Sequence, residues 1–395
     1  MGSALRTYGA KIIPALGDVA LQIVAPRGVF KGVQAGFSGL LDICAHMKPG
    51  DASLSLLSVF APSVDPVKKQ IRLRLGASLR ATDERVARTL SLAIERGVLA
   101  PLYRIAPAEL PRPPWDRLNA ACDIFRTEDC VQPLYSAEDN FRIPTVFYQG
   151  TVLVANEEND YSFVDGILDK VDEWVVVHIC VEPVDTTRDR TAITRYVADL
   201  HGLSRTWGDA PSFRGEVDYF GVGNPRIART GGDIELPHKK DPVADAVLKN
   251  IQELRETLYR PHLQFHLRVL AETPEVAELL GAVVAQSAFQ DGAYALALTK
   301  RGEPVFDSLL AGVKEGCVSL VPSLGARLKE QEPILYADLD RVAHIATPQE
   351  LAGAFRWPVG TKASPYCIRA STDPPDVDPE ELIILGFDYQ HNHGV

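Results

Sequence analysis

At 395 residues the chain exceeds the roughly 250–300 at which one hydrophobic core stops growing, so it is read as multi-domain. An apolar share of 46% with 24% charged residues excludes a disordered or fibrous chain. A formal net charge of −11 excludes a surface that is basic all over, leaving room only for a local basic face.

The first apolar runs are broken by Lys11, Pro14, Asp18 and Pro26, well short of the roughly 20 residues a membrane span needs, and no signal-peptide pattern is present. No membrane span and a cytoplasmic location are therefore expected. Six cysteines at long, irregular spacings fit reduced thiols better than a disulfide framework.

From Gly28 the glycines Gly32, Gly36 and Gly39 either let a helix pack closely on a neighbour or mark a pliant loop. ASLSLLSVFA and KKQIRLRLGA read as strands, because Ile71, Leu73 and Leu75 alternate with Arg72 and Arg74. Thr82 caps a helix with Val86, Leu90 and Ile94 on one face, Gly97 ends it, and VLAPLYRI returns as a strand. Pro111, Pro113 and Pro114 then make a stiff connector before a Trp-led helix. EWVVVHICVEP, the turn VDTTRDR and TAITRYVADLHG repeat the strand-to-helix grammar. After a Gly/Pro-rich stretch, Asp241 and Pro242 open another helix. HLQFHLRVLAE, a helix from Thr273-Pro274-Glu275, and GAYALALT complete a further β-α-β unit.

The expected fold is α+β, with mixed sheets, helices packed on one face and ferredoxin-like βαβ units that look duplicated. The domain reading is an N-terminal α+β domain (1–110), a middle α+β region (111–205) and a Gly/Pro-rich loop (206–240). A helix-strand-helix accessory domain (241–370), an acidic linker (371–380) and the start of a nucleotide-domain hairpin (381–395) follow.

No catalytic, cofactor-binding or metal site is expected in this chain. A phosphate cradle needs GxxxxGK[ST], and no stretch matches; VGTKAS around Gly360 reads as a turn and GVGNPR as a loop. His262 and His266, on a strand, would stand roughly 13 Å apart along one face, too far for one ion, and read as surface or half-buried histidines. His391 and His393 lack completing ligands. Ser38 in GFSGL has the wrong spacing for a nucleophile elbow, Cys317 lacks a histidine partner, and Glu157, Glu158 and Asp160 read as a solvated turn. The basic residues Lys68, Lys69, Arg72 and Arg74, with Arg80, Arg85 and Arg88, are the candidate face for phosphates or an acidic partner; a solvated outer sheet face is the plainer reading.

Over residues 241–390 the order of segments resembles the N-terminal accessory region of HerA-like P-loop ATPases, the FtsK-HerA superfamily that includes conjugative secretion ATPases. DPVADAVLKNIQELRETLY through VAQSAF is similar to the helix-strand-helix before their motor core. ATPQELAGAFRWP is similar to the helix they end at a proline, and ELIILGFDYQHNHGV looks like the hairpin before their first nucleotide-domain strand. The resemblance implies a non-catalytic portion of a ring motor, self-assembling as a hexamer, docking a nuclease or other effector, with DNA through the ring. ATP and Mg would belong to a P-loop domain absent from this sequence, and Leu351, Phe355 and Trp357 would pack at an interface beside it or within the chain's own core. The alternative is an adaptor subunit of a multi-protein assembly.

Overall fold

Runs of apolar residues dense in Val, Leu and Ala form strands here because neighbouring ladders and a layer on each face bury them from both sides. The computed structural model describes residues 4–12, 26–62, 72–96, 103–134, 146–156, 172–204, 241–331 and 339–357. Its core is one antiparallel sheet of nine strands, with a separate two-stranded hairpin and helices packed alongside.

The first half runs β1 (Ala4–Ile12), α1 (Pro26–Ala45), β2 (Ala52–Ala61), β3 (Arg72–Ala81), α2 (Glu84–Arg96), β4 (Tyr103–Pro107). In space its strands lie in the order β4-β1-β3-β2. The second half contributes β5 (Ala120–Arg126), β8 (Val175–Val184), β9 (His262–Ala271) and β10 (Tyr294–Lys300), in the order β10-β5-β9-β8. Numbered within its own half, each reads fourth-first-third-second. The halves meet where β2 pairs antiparallel with β8, from Leu54↔Val181 to Phe60↔Val175. The short β11 (Ile345–Ala346) extends the edge of β9 beyond the end of β5.

The halves differ in their insertions. Between β5 and β8 stands the hairpin β6 (Glu128–Val131) and β7 (Phe147–Gly150); between β8 and β9 stand α3 (Thr187–Ser204) and α4 (Pro242–Thr257). The counterpart of α2 is α5 (Pro274–Ala288). Ala87 and Leu90 of α2, and Ala277 and Leu280 of α5, are the matching buried pairs after a Val at the same spacing. Each buried Leu contributes about 1.5–3 kcal/mol.

Every described ladder is antiparallel, which corrects the expected mixed sheets: each β-α-β unit places its two parallel strands around an intervening antiparallel one. The helices are not confined to one face either. α1, α2 and α5 cover one face with Phe37, Leu90 and Leu280, while α6 (Phe306–Glu315) lies on the other through Phe306, Leu309 and Val313. The connector at 108–118 crosses the sheet on the α6 side. There Gly76 of β3 leaves the room that Pro111 fills.

Three local readings change. Asp83, not Thr82, caps α2, its Oδ1 accepting the Arg85 N–H at 2.7 Å. The Trp-led helix is a turn at 115–117 followed by β5, whose seven residues are all buried, so both faces look alike in sequence. The glycine-rich segment is helical over Pro26–Ala45. The Asp241 cap with Pro242 in the first turn is as expected, and Thr347 with Glu350 forms a capping box at the start of α8 (Pro348–Leu351). Gly97, the 206–240 stretch, the 371–380 linker and the 381–395 hairpin lie outside the described residues.

Candidate functional site

The chemistry-bearing side chains gather on the α6 face of the sheet, where the ladders align them in two adjacent cross-strand rows. Ser78, Ser55, Cys180 and His266 stand opposite one another across β3, β2, β8 and β9; beside them run Leu57, His178, Arg268 and Asp123 across β2, β8, β9 and β5. His178 and His266 are thus diagonal neighbours, close enough for direct contact.

Across these rows lies the backbone that follows α6. α6 ends at Gly316 in the left-handed conformation (φ 63°), where a Cβ would collide with Ser78, so glycine is required. Ser53 donates to the Gly316 carbonyl at 2.6 Å, and Arg80 to the Glu315 carbonyl at 2.8 Å. Glu182 accepts the Val318 N–H at 3.0 Å, and His266 Nδ1 accepts the Ser319 N–H at 3.1 Å. Because that nitrogen must be bare, His266 carries its proton on Nε2 and donates it to His178 Nδ1, 2.7 Å away. His344 Nε2 donates to the Val321 carbonyl at 3.0 Å.

Arg268 closes the row. Fully buried, it reaches Asp123 through Nη2 at 2.7 Å, the Leu309 carbonyl at 2.8 Å, and the hydroxyl and carbonyl of Ser319 at 2.9 and 2.8 Å. Burial pushes the Asp123 carboxyl up, opposed by the Arg268 charge and hydrogen bond. A second buried pair, Arg126 with Glu350 at 3.0 Å, ties β5 to the α8 capping box, and Arg126 also donates to the Ile345 carbonyl at 2.8 Å. Glu128 accepts the Tyr148 hydroxyl at 2.7 Å and the Leu324 N–H at the start of α7 (Leu324–Gln331); burial raises its carboxyl despite these bonds.

Burial keeps the histidines and the thiol of the rows uncharged. Burial, then the Arg268 charge, lowers His178 to about 3, and burial lowers His266 well below 6.5 and His344 to about 4. Burial raises the Cys180 thiol well above 9, so it stays a thiol and a poor nucleophile. The arrangement clamps a backbone: Ser53, Arg80, Glu182, His266 and Arg268 all bond the segment from Glu315 to Ser319.

A pH dependence follows. A histidine whose folded pKa lies below its unfolded one contributes stability that is present above about 6.5 and lost as pH falls. Between pH 6.5 and 4 the unfolding free energy should fall by about 1.4 kcal/mol per pH unit for each histidine that stays neutral in the fold. Urea midpoints should drop from pH 7 to pH 5, before the usual carboxylate range is reached, and less so in His344→Gln. Equal midpoints at the two pH values would contradict the neutral assignment.

The sequence-level candidates fall elsewhere. Leu351, Phe355 and Trp357 are sealed inside the chain, Trp357 and Phe355 standing edge-on to Phe37 of α1 at 5.9 and 6.2 Å, so they belong to the chain's own core and not to an exposed interface. Of the basic cluster, Arg74 and Arg80 point to the α6 side of β3, whereas Arg85 and Arg88 are exposed on α2, across the sheet. Lys68, Lys69 and the Arg72 side chain lie outside the described residues, as do Glu157, Glu158, Asp160, Gly360, His391 and His393. His262 and His266 are on a strand but buried, at 1% and 2% exposure, a correction to surface or half-buried placement that follows from the layer over β9. His178 as the partner of His266 was missed; its only signal is a lone histidine in the apolar strand VVVHICV. Five cysteines, Cys44, Cys122, Cys130, Cys180 and Cys317, are free thiols among the described residues.

Among the described residues no helix is long and apolar enough to cross a membrane. No family model matches the chain, and no curated protein matches it.

Proposed function

We propose that this chain is the non-catalytic N-terminal portion of a HerA-like ring ATPase, which assembles with itself and docks an effector such as a nuclease in DNA processing, antiphage defence or secretion. Its two halves are ferredoxin-like units joined edge to edge, a reading supported by their common strand order. ATP and Mg would be held by a following P-loop domain, DNA would pass through the ring, and the site of action would be the cytoplasm.

The observation that carries the reading is the segment Thr347–Trp357. Its capped helix and following aromatic residues are locked onto α1 and the sheet, so the polypeptide after Trp357 leaves from a rigid anchor. That is what a platform beside a motor requires. The polar rows support the same assignment, since His178, His266, Arg268 and Asp123 spend their hydrogen bonds on one another and on backbone. The adaptor reading shares these features and differs in lacking a motor.

The reading frame beyond Val395 is the test. A P-loop sequence there, with ATP turnover and a multi-subunit mass by light scattering for the continued polypeptide, would support the proposal. A stop codon with no neighbouring P-loop gene would exclude it and leave the adaptor.

A further inference from the structure

The two ends of the sheet are unequal. At one end β4 is five residues long and finishes in Pro107, which has no N–H to offer, a common way of closing an edge. At the other end β10 runs Tyr-Ala-Leu-Ala-Leu-Thr-Lys, seven residues without proline and with one charge, at its last position. Among the described residues no strand pairs with its outer edge. Leu296 is 37% exposed there, whereas every residue of the adjoining β5 is buried. α5 lies over the same end of the sheet and carries another exposed leucine, Leu279 at 55%.

We propose that the outer edge of β10 is a self-association surface, pairing antiparallel with β10 of a second copy across a two-fold axis normal to the sheet. The inference deepens the oligomerisation in the proposed function and rests on that part of it. A second copy fits because the strand is self-complementary. Such an axis keeps the α5 face of both copies on one side, so residues opposite each other must share a face. With Ala297 opposite Ala297, Leu296 faces Leu298, whose backbone groups point outward. The ladder stops short of Lys300, whose N–H and carbonyl are held by Glu303; its side chain still stands opposite Tyr294 of the other copy, placing an ammonium beside an aromatic ring. No like charges meet within the strand. The two α5 helices lie on the same side of the joined sheet, bringing their exposed leucines toward the interface.

Three measurements on the whole chain test this. Light scattering over a dilution series should give an even multiple of the 43.2 kDa chain mass. Leu296→Lys enters the contact twice and should weaken association by about tenfold or more, with its urea midpoint unchanged at dilutions where both proteins are single chains. Ala297→Cys should cross-link to itself on mild oxidation, because facing Cα atoms in such a pair lie about 4.5–5.5 Å apart. Lys300→Cys, facing tyrosine, and the unsubstituted chain with its own cysteines should not. A single-chain mass at every concentration overturns the proposal. So does an oligomer that survives Leu296→Lys without Ala297→Cys cross-linking, an outcome that would leave the ring reading standing on another contact. Cross-linking in a protein whose reading frame holds no motor would support the β10 contact and sink the ATPase assignment instead.

Discussion

Replacing Arg268 by alanine is expected to cost about 3–5 kcal/mol, because the Asp123 carboxylate would be left buried without its counter-charge. Arg268 is fully buried and donates to Asp123, Leu309 and Ser319, so one substitution breaks the link between β9, β5, α6 and the 316–321 segment. Asp123 has little to fall back on, since its Oδ2 is buried without a hydrogen-bond partner. Urea unfolding followed by circular dichroism would measure the loss. The double variant Arg268→Leu with Asp123→Leu should recover much of it, since an apolar pair leaves no buried charge. A single-variant loss below about 1 kcal/mol would mean that water or a rearranged backbone already solvates Asp123.

Trp357→Ala is expected to cost about 3–5 kcal/mol at an unchanged mass by light scattering. The indole is fully buried against Phe37 of α1 at 5.9 Å and 88°, beside a cavity of only about 10 Å³ lined by Leu40, Leu54, Ile94 and Phe355. Those walls belong to α1, β2, α2 and the segment after α8, packed elements that resist closing on the space left behind. Faster amide exchange at Glu350, whose N–H bonds Thr347 Oγ1 at 3.2 Å, should accompany the loss as the anchor loosens. A mass change with stability intact would instead place Trp357 at a subunit contact.

The two substitutions probe features that the sequence discloses very differently. Trp357 sits in ATPQELAGAFRWP, where the capping box and the closing proline are written in neighbouring residues and a packed helix end can be inferred directly. Arg268 lies in HLQFHLRVLAE, which announces a strand and nothing more. Its partner Asp123 is 145 residues away, in a strand that reads as part of a Trp-led helix. The same holds for His178 and His266, 88 residues apart. Their contact depends on the register between β8 and β9, and a shift of one residue would turn one of them to the other face.

Local chemistry was enough to mark what neighbouring residues decide: the caps at Asp241 and Thr347, the strands with alternating side chains, the helices with apolar residues at helical spacing, and the recurrence of strand, helix and strand. Tertiary structure alone decided that the recurring units join edge to edge through β2 and β8, that all ladders run antiparallel, and that Arg268, Asp123, His178 and His266 meet under the segment after α6. The physical reason is range. A cap or an amphipathic period is settled within a few residues, whereas strand order and register are settled by which distant faces bury each other, and a strand buried on both sides carries no pattern to say so.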